Sequence, residues 1–210
     1  MFPWLKSSCC IAGSVFCLSL ANAVSKGSEL DERQIDLLKE FVGADGAKPD
    51  LIKGFENDAV RAVIGQLKTE SDVHKQWNLL FALKHSFEQI KGIDPQLVTA
   101  GEGVIYEKLK ADAPEVRQLA AGIVAVRNKD AALDRLAPLL NDPNEAVRVT
   151  VVTLFGSFGN EARIAQLEAF LTRRAKGLTA DGIKRDYVFR RGYAAIEKLK
   201  QRWHQPAGGK

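Results

Sequence analysis

Apolar residues recur every three or four positions through most of the chain: Ile35, Leu38 and Val42; Leu79, Leu83 and Phe87; Leu133, Leu136 and Leu140; Ile164, Leu167 and Leu171. That spacing puts each set on one face of an α-helix, and the strict alternation of a half-buried strand is almost nowhere. Short breaks carrying caps and turn residues separate the periodic stretches, at Gly43 to Asp50, Thr69 to Asp72, Gly92 to Pro95, Asp112 to Pro114, Asn141 to Asn144, Gly156 to Asn160 and Gly177 to Gly182. The pattern predicts nine helices. Connections of a few residues force neighbouring helices to pack antiparallel.

Taken in order, these helices make a lone first helix, Glu29 to Val42, followed by four hairpins. The pairs are Asp58 to Lys68 with Asp72 to Ile90, a helix ending over Tyr106 to Lys110 with Pro114 to Val126, Asp130 to Leu140 with Asn144 to Phe158, and Glu161 to Lys176 with Asp181 to Trp203. Five acidic residues on the outward positions of the lone helix suit an end cap of a stack, whose outer face must be polar.

Two stretches repeat one pattern: Asp112-Ala-Pro-Glu-Val116-Arg117 and Asp142-Pro-Asn-Glu-Ala-Val147-Arg148, with the Val-Arg pairs 31 residues apart. A period in this range marks stacked repeats, each burying its apolar face against its neighbours. An acidic or Asn-bearing start caps free amides and favours the positive end of the helix dipole. The Val packs between helices, and an Arg beside an acidic turn can clamp adjacent units. A structural role for Arg117 and Arg148 follows; the alternative places them in a concave groove holding an anionic ligand.

The run from Leu139-Leu140-Asn141-Asp142-Pro143 to Val147-Arg148 resembles HEAT and HEAT-like repeats. The resemblance is specific over residues 96–159 and fades where His74 stands in place of the Arg and around Arg190 and Arg191. It implies an all-α right-handed solenoid of about four hairpins. It also implies that an Asp closes the turn within a hairpin while the Arg of the second helix bonds an Asp of a neighbouring unit, which assigns a ladder to Asp112, Arg117, Asp142 and Arg148. The Thr-Pro-Leu-His of ankyrin arrays and the Trp, Leu-Gly and Tyr spacing of tetratricopeptide arrays are missing.

Before all of this comes Lys6, an apolar run from Cys9 to Leu20, and Ala21-Asn22-Ala23. That order reads as a secretory signal over residues 1–23, cleaved after Ala23, and the run is too short to span a membrane. The expected organisation is a signal at 1–23, one solenoid domain at 24–204 and a disordered tail at 205–210, in a periplasmic or secreted location. All three cysteines, Cys9, Cys10 and Cys17, fall inside the signal, so stability of the mature chain rests on packing rather than disulfides. Phe16 before Cys17 and Lys6 three before Cys9 argue against a lipid-modified cysteine.

Catalytic and metal chemistry is hard to assemble. His74 and His85 stand 11 residues apart on one predicted helix, roughly 16 Å along its axis, and cannot share a metal. The pair His85 and Glu88 reads as a surface pair. Gly101-Glu-Gly103 has neither the third glycine nor the preceding strand of a dinucleotide site. Gly156-Ser-Phe-Gly159 lacks nucleophile-elbow spacing and reads as a helix end with a left-handed cap. No catalytic residue, cofactor or metal site is expected.

Charge is polarised along the chain. Arg173 to Arg202 carries ten Lys and Arg against three Asp and Glu, a net +7, whereas Val24 to Thr172 has a net −5. Arg173, Arg174, Lys176, Lys184, Arg185, Arg190 and Arg191, interleaved with Tyr187, Phe189, Tyr193 and Trp203, form a candidate anion or partner surface. The competing reading makes the aromatics a core stripe with Ile183, Tyr187, Ala194 and Leu199 on one face. The leading functional expectation is an exported scaffold or adaptor that binds a protein partner. Second is a binder of polyanions or anionic envelope components through residues 173–202, with nucleic acid disfavoured outside the cytoplasm; third is an enzyme of unrecognised type.

Overall fold

A computed structural model describes residues 30–43 and 49–203. The expected signal with its three cysteines, the expected tail and His204 lie outside the described residues. The described residues are all-α, and the chain divides into two compact units, one ending at Val104 and one beginning at Ile105.

In the first unit, helix α1 spans Glu32–Gly43. It starts later than Glu29 because Asp31 and Gln34 form a reciprocal capping box: Asp31 Oδ1 accepts from the Gln34 amide at 2.8 Å, and Gln34 Oε1 accepts from the Asp31 amide at 2.9 Å. Leu38, Phe41 and Val42 are buried, while Asp31, Glu32, Asp36 and Glu40 are exposed. α1 packs against α3 (Val73–Gln89) and against a 3-10 turn, Pro49–Ile52, which ends the segment expected to be plain loop. Ile52 pins that turn into the core. α2 (Glu56–Thr69) pairs with α3, which Asp72 caps by accepting from the Lys75 amide at 2.9 Å. α4 spans Pro95–Lys108, and a Cβ at its Gly101 would stand 2.5 Å from Phe87 Cζ, so a larger residue there would have to push the Phe87 ring aside.

The second unit continues with α5 (Pro114–Asn128), α6 (Asp130–Leu136), α7 (Glu145–Phe158), α8 (Ala162–Ala175), α9 (Ala180–Arg185) and α10 (Tyr187–Trp203). Periodicity alone would carry α6 on to Leu140. It tightens instead into a 3-10 stretch, Ala137–Asn141, because Pro138 cannot donate the helical hydrogen bond and its ring crowds the preceding turn. The final helix is broken: Asp186 Oδ1 accepts from the Phe189 amide at 3.1 Å and starts α10 afresh, giving ten α-helices among the described residues rather than nine.

α7 packs against both α5 and α10, so the second helices of three successive hairpins lie in one layer, an α-solenoid segment. Val116 and Val147 are fully buried in it, with Ile123, Val151, Phe155, Phe189 and Ile196 among the core. Gly156 is not a left-handed cap. It lies inside α7, where a Cβ would meet Ala195 Cβ at 2.7 Å and Cα at 2.8 Å, and this close approach sets the spacing of α7 and α10. The chain leaves α7 at Gly159 with φ −68°, outside the left-handed region; glycine is called for there by space, since a Cβ would stand 2.5 Å from the Phe155 carbonyl oxygen.

Candidate functional site

Two arginines one period apart adopt the same pose. Arg117 Nη1 donates to the carbonyls of Ala111 and Asp112, both at 2.7 Å. Arg148 Nη1 donates to the carbonyls of Asp142 and Pro143, at 2.7 and 2.9 Å, the same offsets of six and five residues. The turn before each second helix thus wraps one edge of a guanidinium.

The other edges differ. Arg117 Nε and Nη2 form a bidentate pair with Asp142 Oδ2 and Oδ1, each at 2.7 Å, with 9% of Arg117 and 5% of Asp142 exposed. Burial would push the Asp142 carboxyl up, but the Arg117 bonds and the Asn144 amide at 2.8 Å hold it below the ordinary carboxylate value. Arg117 is raised, first by its bond to Asp142. Arg148 Nε, in contrast, is shielded from solvent and has no hydrogen-bond partner among the described residues. Asp112 gives the frame its carbonyl; its side chain is exposed and does not cap α5, whose N-cap is Ala113 and whose first residue is Pro114.

Arg148 lines an open cleft of about 380 Å³ together with Asp142, Phe170, Arg173 and Arg174. Arg174 is held by Asp186, Nη2 to Oδ2 at 2.5 Å and Nε to Oδ2 at 3.1 Å, whereas Arg173 is exposed. These bonds and the amide of Phe189 hold the Asp186 carboxyl low against the opposing, and largest single, effect of burial.

The remaining basic residues divide by role. Lys176, Lys184, Arg185, Arg190 and Arg191 are exposed, Lys184 lying 3.9 Å from Asp181. Arg190 and Arg191 stack near the Tyr187 ring, 5.2 and 5.0 Å from its centroid, and Arg191 Nε donates to Tyr187 Oη at 2.7 Å. Arg202 donates to the carbonyls of Gly156, Ser157 and Gly159, satisfying the orphan acceptors at the end of α7. The aromatic stripe expected to be core is rotated outward: Tyr187, Tyr193 (54% exposed) and Trp203 (50%) face solvent, while Val188, Phe189, Gly192, Ala195, Ile196 and Leu199 are buried.

The family model for HEAT repeats matches residues 104–181. No match is found among curated proteins or among solved structures. The HEAT-like segment runs from the end of α4 into α9 and contains both arginines, the Asp142 turn and most of the cleft's lining.

Within it, sequence reading missed a second clamp. Arg163, at the start of α8, donates through Nε to Asp130 Oδ1 at 2.9 Å and through Nη1 to Asp134 Oδ1 at 2.5 Å; Asn160 Nδ2 adds a bond to Asp130 Oδ2 at 2.8 Å. The Arg163 bond chiefly holds the Asp130 and Asp134 carboxyls low. Asp130 and Arg163 are 33 residues apart, so a search for opposite charges about one period apart would have found them.

Of the histidines, His74 is exposed, and His85 bonds Gln89 at 3.0 Å through Nδ1 and meets the Phe81 ring edge-on. Burial lowers its pKa. Glu88 pairs with Lys84 at 2.8 Å instead. Among the described residues no group of three or more His, Cys, Asp or Glu side chains is placed to hold a metal, and no helix is long and apolar enough to cross a membrane.

Proposed function

We propose that this protein is an exported helical-repeat scaffold that works by binding a protein partner. The observation that carries the reading is the layer of α5, α7 and α10, of which α5 and α7 lie within the segment matched by the HEAT-repeat model. Its helices are fixed to one another by buried apolar contacts and the Arg117–Asp142 clamp, so the surface exists before any partner arrives and little ordering entropy is lost on binding. Export rests on Lys6, the apolar run Cys9 to Leu20 and Ala21-Asn22-Ala23.

Two measurements test the proposal together. Intact-mass analysis of the chain from its native envelope fraction should give a product beginning at Val24, and crosslinked capture from the same fraction should recover a defined protein partner. Residues 1–23 still attached to a cytoplasmic product would remove export; absence of any saturable protein partner would remove the scaffold role.

A second reading has one observation in its favour. On α10, Tyr187 lies against Arg190 and Arg191, and Tyr193 and Trp203 are exposed further along the helix, an arrangement of cations and aromatic faces suited to a polyanion. It would show itself as binding of anionic vesicles or polyphosphate that falls steeply with salt.

A further inference from the structure

The two guanidiniums of the repeat are held identically from behind and met differently in front. For Arg117, the turn of the next hairpin supplies Asp142. For Arg148, the connection from α8 to α10 carries two carboxylates and neither is bonded to it: Asp186 is taken by Arg174 and the Phe189 amide, and Asp181 is exposed, 3.9 Å from Lys184. The Nε left without a partner belongs to the edge that, in Arg117, completes the bidentate pair. The cleft in front of Arg148 adds Arg173, exposed, and Arg174, already neutralised by Asp186. Its one lining carboxylate, Asp142, is held by Arg117. Positive charge is therefore in excess at a place where the fold has built the frame of an arginine–carboxylate pair and has not supplied the carboxylate.

We propose that Arg148, with Arg173 beside it, is a carboxylate-recognition site that takes an acidic side chain or a chain-terminal carboxylate of a protein partner as Arg117 takes Asp142. The inference rests on the reading of this unit as a protein-binding stack and names the chemistry of its ligand. A carboxylate fits better than a phosphate because the planar, two-oxygen acceptor is the shape this guanidinium pose already accepts within the same chain. Arg148 is half-buried and lines the cleft, so its guanidinium can be approached from solvent. Nε itself is shielded, so an acceptor reaches it only when the long lining side chains rotate aside. Desolvation by Phe170 and the turn strengthens the pair relative to one on an open surface.

The test is a titration of the ¹⁵N-labelled full chain followed at the arginine Nε–Hε resonances. Four probes are used: sodium acetate, an aspartate-containing peptide with an amidated end, a neutral peptide with a free C-terminal carboxylate, and inorganic polyphosphate. The Arg148 signal should shift saturably with acetate and with at least one peptide, while the Arg117 signal, already paired, stays in place. The peptide that acts more strongly identifies the source of the carboxylate. R148K keeps the charge but loses the planar fork, and should weaken peptide binding by about tenfold, the loss of one charge-assisted hydrogen bond. R173Q, at an exposed position, should weaken it by a few-fold and serves if R148K is misfolded.

An Arg148 signal unmoved by every carboxylate probe, or equal peptide affinity in folded R148K, overturns the proposal; so does a response to polyphosphate alone. Capture of the native partner separates the two readings. A partner held equally by wild type and R148K leaves the scaffold standing and removes this site, whereas peptide binding without any native protein partner does the reverse.

Discussion

Arg117 and Asp142 are nearly solvent-free, and each is the other's principal partner, so loss of either leaves an uncompensated buried charge. Asp142→Ala should lower unfolding stability by about 3–5 kcal/mol in denaturant melts. Arg148→Ala should cost only about 1 kcal/mol, since it removes bonds to two carbonyls and no ion pair is broken. Equal losses would mean that Arg148 is as much a clamp as Arg117. The same pair sets an acid limit. Asp130, Asp142 and Asp186 all have folded pKa values below the ordinary carboxylate value of roughly 3.9, so near that pH the unfolded chain binds more protons. Their stabilisation is fully present above the unfolded value and is lost as pH falls through the folded ones. Melts between pH 6 and 2 should show stability dropping below about pH 4, and Asp142→Asn, less stable at pH 6, should show a shallower drop.

Helix contacts turn on small residues at two places with opposite outcomes. At Gly156 an added Cβ would strike the Ala195 backbone, which cannot step aside without moving α10. Gly156→Ala should therefore destabilise by about 1–3 kcal/mol despite the better helix propensity of alanine. Gly122, in the middle of α5, faces open space, with nothing within 4 Å of where an added Cβ would sit, and Gly122→Ala should stabilise by up to about 1 kcal/mol. Thermal melts of the two variants are expected to move in opposite directions. Shifts of the same sign would mean that α7 and α10 are not as closely packed as their spacing indicates.

At the scale of the whole molecule, the net +7 of residues 173–202 is less available than its count suggests. Arg174 is paired with Asp186, Arg202 is tied to the end of α7, and Lys200 lies 3.4 Å from Glu168. The outward charges are Lys176, Lys184, Arg185, Arg190, Arg191 and Lys198, with Arg173 at the cleft. Replacing Lys184, Arg185, Arg190 and Arg191 together with glutamine should leave capture of a protein partner unchanged at physiological salt. A loss that is steep at low salt and vanishes as screening shortens toward about 8 Å would transfer the function to α10.

Sequence alone determined the all-helical character, the order of the hairpins and the repeat, because 3.6-residue periodicity, caps and turn residues are local properties that tertiary contacts here only reinforce. Val116 and Val147 could be placed in the core by their position in the two copies. Tertiary structure alone decided which arginine receives a carboxylate: the copies Arg117 and Arg148 are alike in local sequence, but Asp142 of the next hairpin reaches Arg117, whereas Asp186 of the following one pairs with Arg174 instead of Arg148. It also decided the face of α10. A stripe carried through from Ile183 assumes one continuous helix, but Asp186 interrupts the chain and resets the phase, turning Tyr187 outward and Val188 and Phe189 inward. Periodicity fixes the spacing of buried positions within a helix; where a helix restarts is set by local caps such as Asp186 with the Phe189 amide, and against what it packs is settled by contacts between residues distant in sequence.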